Sequence, residues 1–456
     1  MKRLTPIVLY IILVMSSYSC KKDTNITNVF SEEFPGGETT YPNIFSGVFE
    51  QPSPNLNAAE LAQHGKGDVN FSAIFVTSPA IKNYGLGPIF NHNSCVSCHV
   101  KDGRTPQPFS GEDLKGLLLR LSIPGTDPHG GPLDAPGFGG QLQNKGVVGT
   151  QAEAKVQLSF VETSYTFDDG TPYTLRKPIY TLINSYIPLP GSLMVSPRIG
   201  PQIYGLGLLE AIKESDILSK EDITDADGDG ISGKANKVWN PVTQKIELGR
   251  FGWKANAPNL LVQSAGALQQ DMGITSFVFP QEASYNQSQY DGLTDDPEID
   301  SQFLFDVTFY TQTLAVPIRR DFNHSSVLNG KLLFMKIGCN KCHSPGYITG
   351  VGATQALNQQ VIYPYTDMLL HDMGTDLADN RPDFLANGNE WRTPPLWGIG
   401  LFPMVNGHSN LLHDGRARNV LEAIMWHGGE AEQQKLKVKK LSAKDRDDLV
   451  KFVNSL

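Results

Sequence analysis

Apolar residues fall at helical spacing in two stretches toward the C-terminus. Val327, Leu328, Leu332, Phe334 and Met335 predict a helix that stops just before residue 339, and Leu449, Val450, Phe452, Val453 and Leu456 predict a closing helix. Ser442-Ala-Lys-Asp445 resembles a capping box that would start the closing helix, since a hydroxyl and a carboxylate three positions on can satisfy free N–H groups of a first turn. Together they outline a small helical domain over 321–456. The middle of the chain has a shorter period. Val156 to Phe160 and Tyr165 to Phe167 alternate apolar and polar, Tyr173 to Leu182 is rich in strand formers, and Asp169-Gly170 supplies a turn, so a β-hairpin is expected there. Gly and Pro recur from Pro124 to Pro201, which places the hairpin in a loop-rich insertion of about 109–245 inside a first domain of 45–320. The expected fold class is mainly α, in two domains.

The N-terminus has a different pattern. Lys2 and Arg3 precede an apolar run, Ile7 to Met15, that is too short to span a bilayer. The run closes on Ser16-Ser17-Tyr18-Ser19-Cys20. This reads as an export signal over 1–19, and it resembles a lipoprotein signal in which Cys20 becomes the acylated first residue. Ordinary signal cleavage is the alternative. A polar tether follows over 20–44, so the protein is expected to be exported and anchored by lipid to a bacterial membrane, facing the periplasm or cell surface. A formal charge of -9 argues against nucleic acid, because phosphate binding needs Lys and Arg in excess, and for the same reason against an acidic partner or an anionic membrane surface.

Cysteine usage decides the chemistry. Of the five cysteines, Cys20 belongs to export and the other four form two pentads, Cys95-Val-Ser-Cys98-His99 and Cys339-Asn-Lys-Cys342-His343. Disulfides, a shared zinc site and a thioredoxin-like pair are the competing readings. A redox CxxC explains neither the trailing histidine nor the duplication, and zinc would require the two pentads to meet. The pentad suits covalently bound haem c: two thiols add across the vinyl groups of one haem, and the adjacent histidine points at the iron. His99 and His343 are thus expected as proximal ligands of two haems, and the two domains as c-type cytochrome domains. Arg104, just beyond the first pentad, suits a haem propionate because a guanidinium matches a carboxylate fork; a solvated loop arginine is the plainer reading.

Asp225-Ala-Asp227-Gly-Asp229-Gly places oxygen ligands at alternate positions with a glycine at the sharp turn, as in the first half of a calcium loop. Position twelve is Asn236 rather than a bidentate glutamate. A loop held by Asx-turns without metal is the alternative.

With both pentads in place, the chain resembles the bacterial di-haem cytochrome c peroxidase superfamily, closest to the di-haem peroxidase branch also labelled "thiol oxidoreductase". The residues carrying the resemblance are Gly-Pro-Ile-Phe-Asn91 before Cys95, Asp225 to Gly233, Leu248-Gly-Arg-Phe-Gly-Trp-Lys-Ala255 and Asp271-Met-Gly-Ile274. Arg392-Thr-Pro-Pro-Leu396, His413-Asp-Gly-Arg416 and Ala423-Ile-Met-Trp-His-Gly-Gly-Glu430 complete the set. The resemblance implies electron entry at the second haem and reaction with peroxide at the first. Where relatives carry a methionine ligand to the second iron, this chain aligns His427, with Met425 as the rival. The distal glutamine and glutamate of the relatives fall near Arg250-Phe-Gly-Trp-Lys254 and Leu260-Leu-Val-Gln263. Leu261 stands where the acidic residue would be, and an apolar side chain cannot shuttle a proton. Glu153 and Asp271 are candidate replacements. Arg250 and Lys254 are expected beside an open first iron, where they could polarise a peroxide. His129 and Met272 are the options for its sixth ligand, and Trp239 or Trp253 for a bridge between haems.

Three functions follow. One is a peroxidase-like enzyme served by a small redox protein or other donor and acting on peroxide or another small molecule. The others are a pure electron carrier and an oxidase of a partner protein's side chain. The "thiol" label has no residue behind it, since no cysteine is left over.

Overall fold

A computed structural model describes residues 31–109 and 114–456. The export signal, Cys20 and the first part of the tether lie outside the described residues. From Glu32 onward the polar stretch expected as tether is docked rather than free. The Glu32 carboxylate receives Lys331 Nζ at 2.6 Å, Arg319 at 2.8 Å and the Tyr365 hydroxyl at 2.9 Å. Thr39 and Thr40 are buried, and the Tyr41 amide donates to the Val316 carbonyl. One carboxylate meeting two cations and a phenol is enough to fix a segment that has little to bury.

The mainly-α expectation is corrected by the structure: the described residues are 28% helical and 19% strand, in several small sheets. The helices that do form are grouped in two places. Helix Ala58–Phe71 packs against helix Ser301–Thr313, which also meets helix Leu260–Met272. Helix Ser325–Ile337 packs against the closing helix Ala443–Ser455, with helices Val420–Trp426 and Glu432–Lys439 alongside. Five of these helices start on a polar side chain: Asn57, Asn259, Asp300, Asn419 and Ser442 each accept from an amide of the first turn.

Between and around these groups the chain is loop and short ladder. Strand Leu117–Thr126 pairs antiparallel with Met194–Ile199, from Leu117↔Ile199 to Ser122↔Met194. The alternation around Asp169-Gly170 folds as a hairpin of Lys155–Thr166 with Pro172–Ile183, twelve residues to each arm. Shorter ladders, such as Leu370–Asp372 with Glu390–Arg392, occur in the second half, where helix was expected. They carry buried polar residues such as His371 and Glu390, so their apolar period is broken and invisible to a pattern reading.

The largest hydrophobic cluster draws on both halves of the chain, including Phe49, Tyr204, Phe334, Trp397, Phe402 and Phe452. Phe49 stacks on Tyr204 at 4.2 Å, and the Tyr204 hydroxyl donates to the Trp397 carbonyl at 3.0 Å. Among the described residues, no helix is long and apolar enough to cross a membrane.

Candidate functional site

Both pentads fold the same way. Cys95–Ser97 and Cys339–Lys341 each make one 3₁₀ turn, and the amides of His99 and His343 bond back to the carbonyls of Cys95 and Cys339 at 3.0 and 2.9 Å. The turn at Cys339 needs Gly338 at φ +100°, a backbone state that side chains resist. All four thiols are free, and burial pushes those of Cys95 and Cys339 up to about 12. The pentads line two different cavities, so neither a disulfide nor a shared zinc site is formed.

The first cavity holds Cys95, Cys98 and His99 in about 1520 Å³ of space, part of it open to solvent. Gly116 and Gly200 make room beside the pentad: a Cβ on Gly116 would lie 3.0 Å from the Cys98 Cβ, and one on Gly200 3.2 Å from the His99 ring. One face of helix Leu260–Met272 forms a wall through Leu260, Gln263, Ser264, Ala267, Leu268 and Asp271. Leu261 is off that wall and packs against the cluster of Phe75 and Leu268. Asp271 accepts from Gln141 Nε2 at 2.7 Å, and burial raises its pKa above the aspartate range. Arg120 and Arg198 also reach this cavity. Met272 lines it too, whereas His129 stacks on Trp239 at 4.0 Å, and neither of that pair reaches either cavity. Glu153 lies off the cavity and accepts from the Gln143 amide.

Two expected cations are placed elsewhere. Arg250 donates to the carbonyls of Leu209 and Ile212 and lines neither cavity. Lys254 is fully buried, with its ammonium on Asp379 at 2.7 Å and on the Arg381 and Asn387 carbonyls, each at 2.8 Å. Every proton of that ammonium is committed, so it holds the fold rather than a substrate. Sequence likeness placed them by motif and could not show which way each side chain turns.

The second cavity holds Cys339, Cys342, His343 and His427 in about 1430 Å³, again partly open. The two histidines are held alike. His343 Nδ1 sits 3.0 Å from the Tyr365 carbonyl, and His427 Nδ1 sits 2.6 Å from the Ala423 carbonyl, which leaves both Nε2 atoms unprotonated and free to ligate. Met425 is buried in the hydrophobic cluster and does not line the cavity. His371, which the sequence did not single out, also lines it. Its ring is clamped between Asp367 at 2.8 Å and Glu430 at 2.7 Å; burial alone would lower its pKa, but the neighbouring Cys342 sulfur and the Asp367 carboxylate raise it well above the usual histidine value.

The cavities share a wall made by Arg104, Gln202, Trp253, Arg392, Pro394 and Pro395. Trp253 is fixed by its indole N–H on the Ile199 carbonyl at 2.9 Å. Arg104 is buried, its Nε has no partner, and no carboxylate pairs with it or with Arg392 among the described residues. Burial pushes both guanidiniums down to about 10. Two desolvated cations without an anion are costly unless a ligand supplies the charge. Haem propionates would, so Arg104 and Arg392 are the residues that would hold the propionates of bound haem. In the sequence Arg392 stands out only as part of the Arg-Thr-Pro-Pro-Leu motif.

In the acidic loop, the carboxylates of Asp222, Asp225 and Asp227 are gathered within 4.8 Å of one another, while Asp229 turns to Lys341. Asp225 and Asp227 already accept the amides of Asp229 and Gly230, which is the Asx-turn arrangement.

No curated protein and no solved structure matches the chain. The sequence profile of one family, described as "Di-haem oxidoreductase, putative peroxidase", matches residues 30–456, and the chain belongs to that family.

Proposed function

We propose that this di-haem oxidoreductase is an exported c-type cytochrome in which electrons enter at the second haem and are used at the first. Cys95 and Cys98 would hold one haem covalently and Cys339 and Cys342 the other, with His99 and His343 as proximal ligands. His427 would complete the second iron; the first cavity also holds a histidine, His92, whose Nε2 lies against the Lys115 carbonyl, and the first iron is read as the reactive one because Asp271, Arg120 and Arg198 gather on its side. When bound, haem supplies the one-electron redox chemistry; the chain supplies position, charge and protons.

The observation that carries this reading is the shared wall of the two cavities. Trp253 lies between the pentads, and Arg104 and Arg392 offer charge to propionates from both sides. On the first side, Asp271 takes the place that Leu261 leaves vacant. Its carboxylate can accept a proton from a peroxide and return it to the departing oxygen, with Gln141 holding it in place and Arg120 and Arg198 supporting negative charge. Lys2, Arg3, the run to Met15 and Cys20 support export and a lipid anchor.

A pure electron carrier is the second reading, favoured by Met272, which is buried in the first cavity and could close the first iron. Spectra of the oxidised and half-reduced protein, with and without peroxide and cyanide, separate the two. A first haem that binds cyanide and consumes peroxide supports the enzyme, and two inert low-spin haems leave the carrier. Acid-acetone extraction tests covalent attachment, since haem held through thioethers stays with the protein.

A further inference from the structure

The second cavity reaches solvent between the pentad turn and helix Glu432–Lys439. Gly338, Cys339, Gln434 and Lys435 line it there and are all partly exposed. The surface around this mouth is unlike the rest of the chain. The formal charge overall is -9, yet helix Ser325–Ile337, the turn after it and residues 432–440 carry seven lysines and a single carboxylate, Glu432. Lys331, Lys341 and Lys435 are paired, with Glu32, Asp229 and Glu432. Lys437 reaches over the end of the neighbouring helix to the Ile337 carbonyl at 3.1 Å. Lys336, Lys437, Lys439 and Lys440 have no carboxylate partner among the described residues.

Apolar side chains stand among these charges. Leu328, Leu332 and Met335 form a stripe at i, i+4 and i+7 on helix Ser325–Ile337, exposed by 47%, 69% and 41%, and Leu436 adds to it from the next helix. A hydrophobic centre with a charged rim is the anatomy of a transient protein interface, and one sign of charge at a cleft steers partners of the other sign.

We propose that this face docks a small acidic one-electron carrier protein at the second haem. The inference rests on the reading that electrons enter there. One electron would pass from the reduced carrier to the haem that Cys339, Cys342 and His343 would hold, with no bond made or broken and no proton moved. A bilayer is the competing occupant, because Glu32 brings the N-terminal segment to Lys331 on the same helix. The position of the cavity mouth within the patch favours a protein, since a membrane seated there would bar every donor from the haem.

The test uses the full-length holoprotein and reduced monohaem cytochromes c of opposite net charge. Reduction of the second haem is followed by stopped flow across a range of ionic strength. We expect the acidic cytochrome to react faster, with a rate that falls steeply as salt rises. The variant K336E/K437E/K440E should slow it by about tenfold or more, and the corresponding arginine variant should not. L332S/M335S should weaken association and leave the salt dependence in place. A charge reversal without effect, or a wild-type preference for the basic cytochrome, would overturn the proposal. So would anionic phosphatidylglycerol vesicles that bind this face and block the acidic cytochrome. Ascorbate with a small mediator serves as control. If it too fails to reduce a second haem, the electron-entry reading is at fault; if it succeeds while the charge variants do nothing, the docking surface alone is.

Discussion

The guanidinium carbon of Arg104 lies 5.2 Å from the centroid of the Trp253 ring, and both side chains line both cavities. The Phe402 ring centroid lies 5.3 Å from the same guanidinium. A cation close to two rings, with its Nε unpaired and lining both cavities, is placed to serve propionates in either one.

Arg104→Leu should therefore lower the midpoint potentials of both haems, because removing a nearby positive charge favours ferric iron. Loss of one partner from a buried pair should also cost the haem-loaded protein about 3–5 kcal/mol. The haem-free chain should lose far less, since its arginine has no anion to lose. Potentiometric titration and denaturant unfolding check both; a shift confined to one haem would assign Arg104 to a single site.

At the second cavity, His427→Ala should turn a low-spin haem high-spin and raise its potential. Met425→Ala should do neither. Met425 is buried in the hydrophobic cluster, so its truncation should instead cost about 2–5 kcal/mol of stability. Electron paramagnetic resonance of the oxidised variants distinguishes these outcomes.

His64, which lines neither cavity, gives the fold a pH dependence of its own. It is buried on helix Ala58–Phe71 with Nδ1 2.8 Å from the Thr313 hydroxyl, and burial pushes its pKa down to about 4 from 6.5. Between those values the unfolded chain binds a proton on His64 that the folded chain does not. Stability should fall as pH drops from 6.5 to 4, by about 3 kcal/mol at most from this residue. His64→Gln should flatten that part of the slope in urea unfolding measured across pH.

The chemistry was more legible than the architecture. The CxxCH spacing is local, so Cys95–His99 and Cys339–His343 announce themselves in the sequence, as do the helix at 325 by its apolar period and the helix at 443 by period and cap. The small ladders and the shared wall depend on contacts between residues far apart in sequence. Arg250 and Lys254 show the limit: both belong to a recognisable stretch, yet one turns to backbone carbonyls and the other to Asp379. Arg392 shows the reverse, a motif residue whose place opposite Arg104 only the fold reveals.

The last prediction concerns the proton in the first cavity. By sequence alone, restoring the missing carboxylate at position 261 should help turnover, but Leu261 packs against the Phe75 cluster rather than facing the pentad. Leu261→Glu should thus give no gain in peroxide consumption and should cost stability by burying a charge among apolar groups. Asp271, three helical turns along, lines the cavity and is held by Gln141. Asp271→Asn keeps the shape and removes the base, so peroxide turnover should fall by about 10²–10⁴-fold with haem content and spectra unchanged. Because burial raises the Asp271 pKa, the acid limb of kcat/KM against pH should lie above the ordinary aspartate range, with rate lost as pH falls through it. That limb should vanish in Asp271→Asn. If the variant keeps both the rate and the limb, Asp271 is not the proton carrier and the first cavity must work without it.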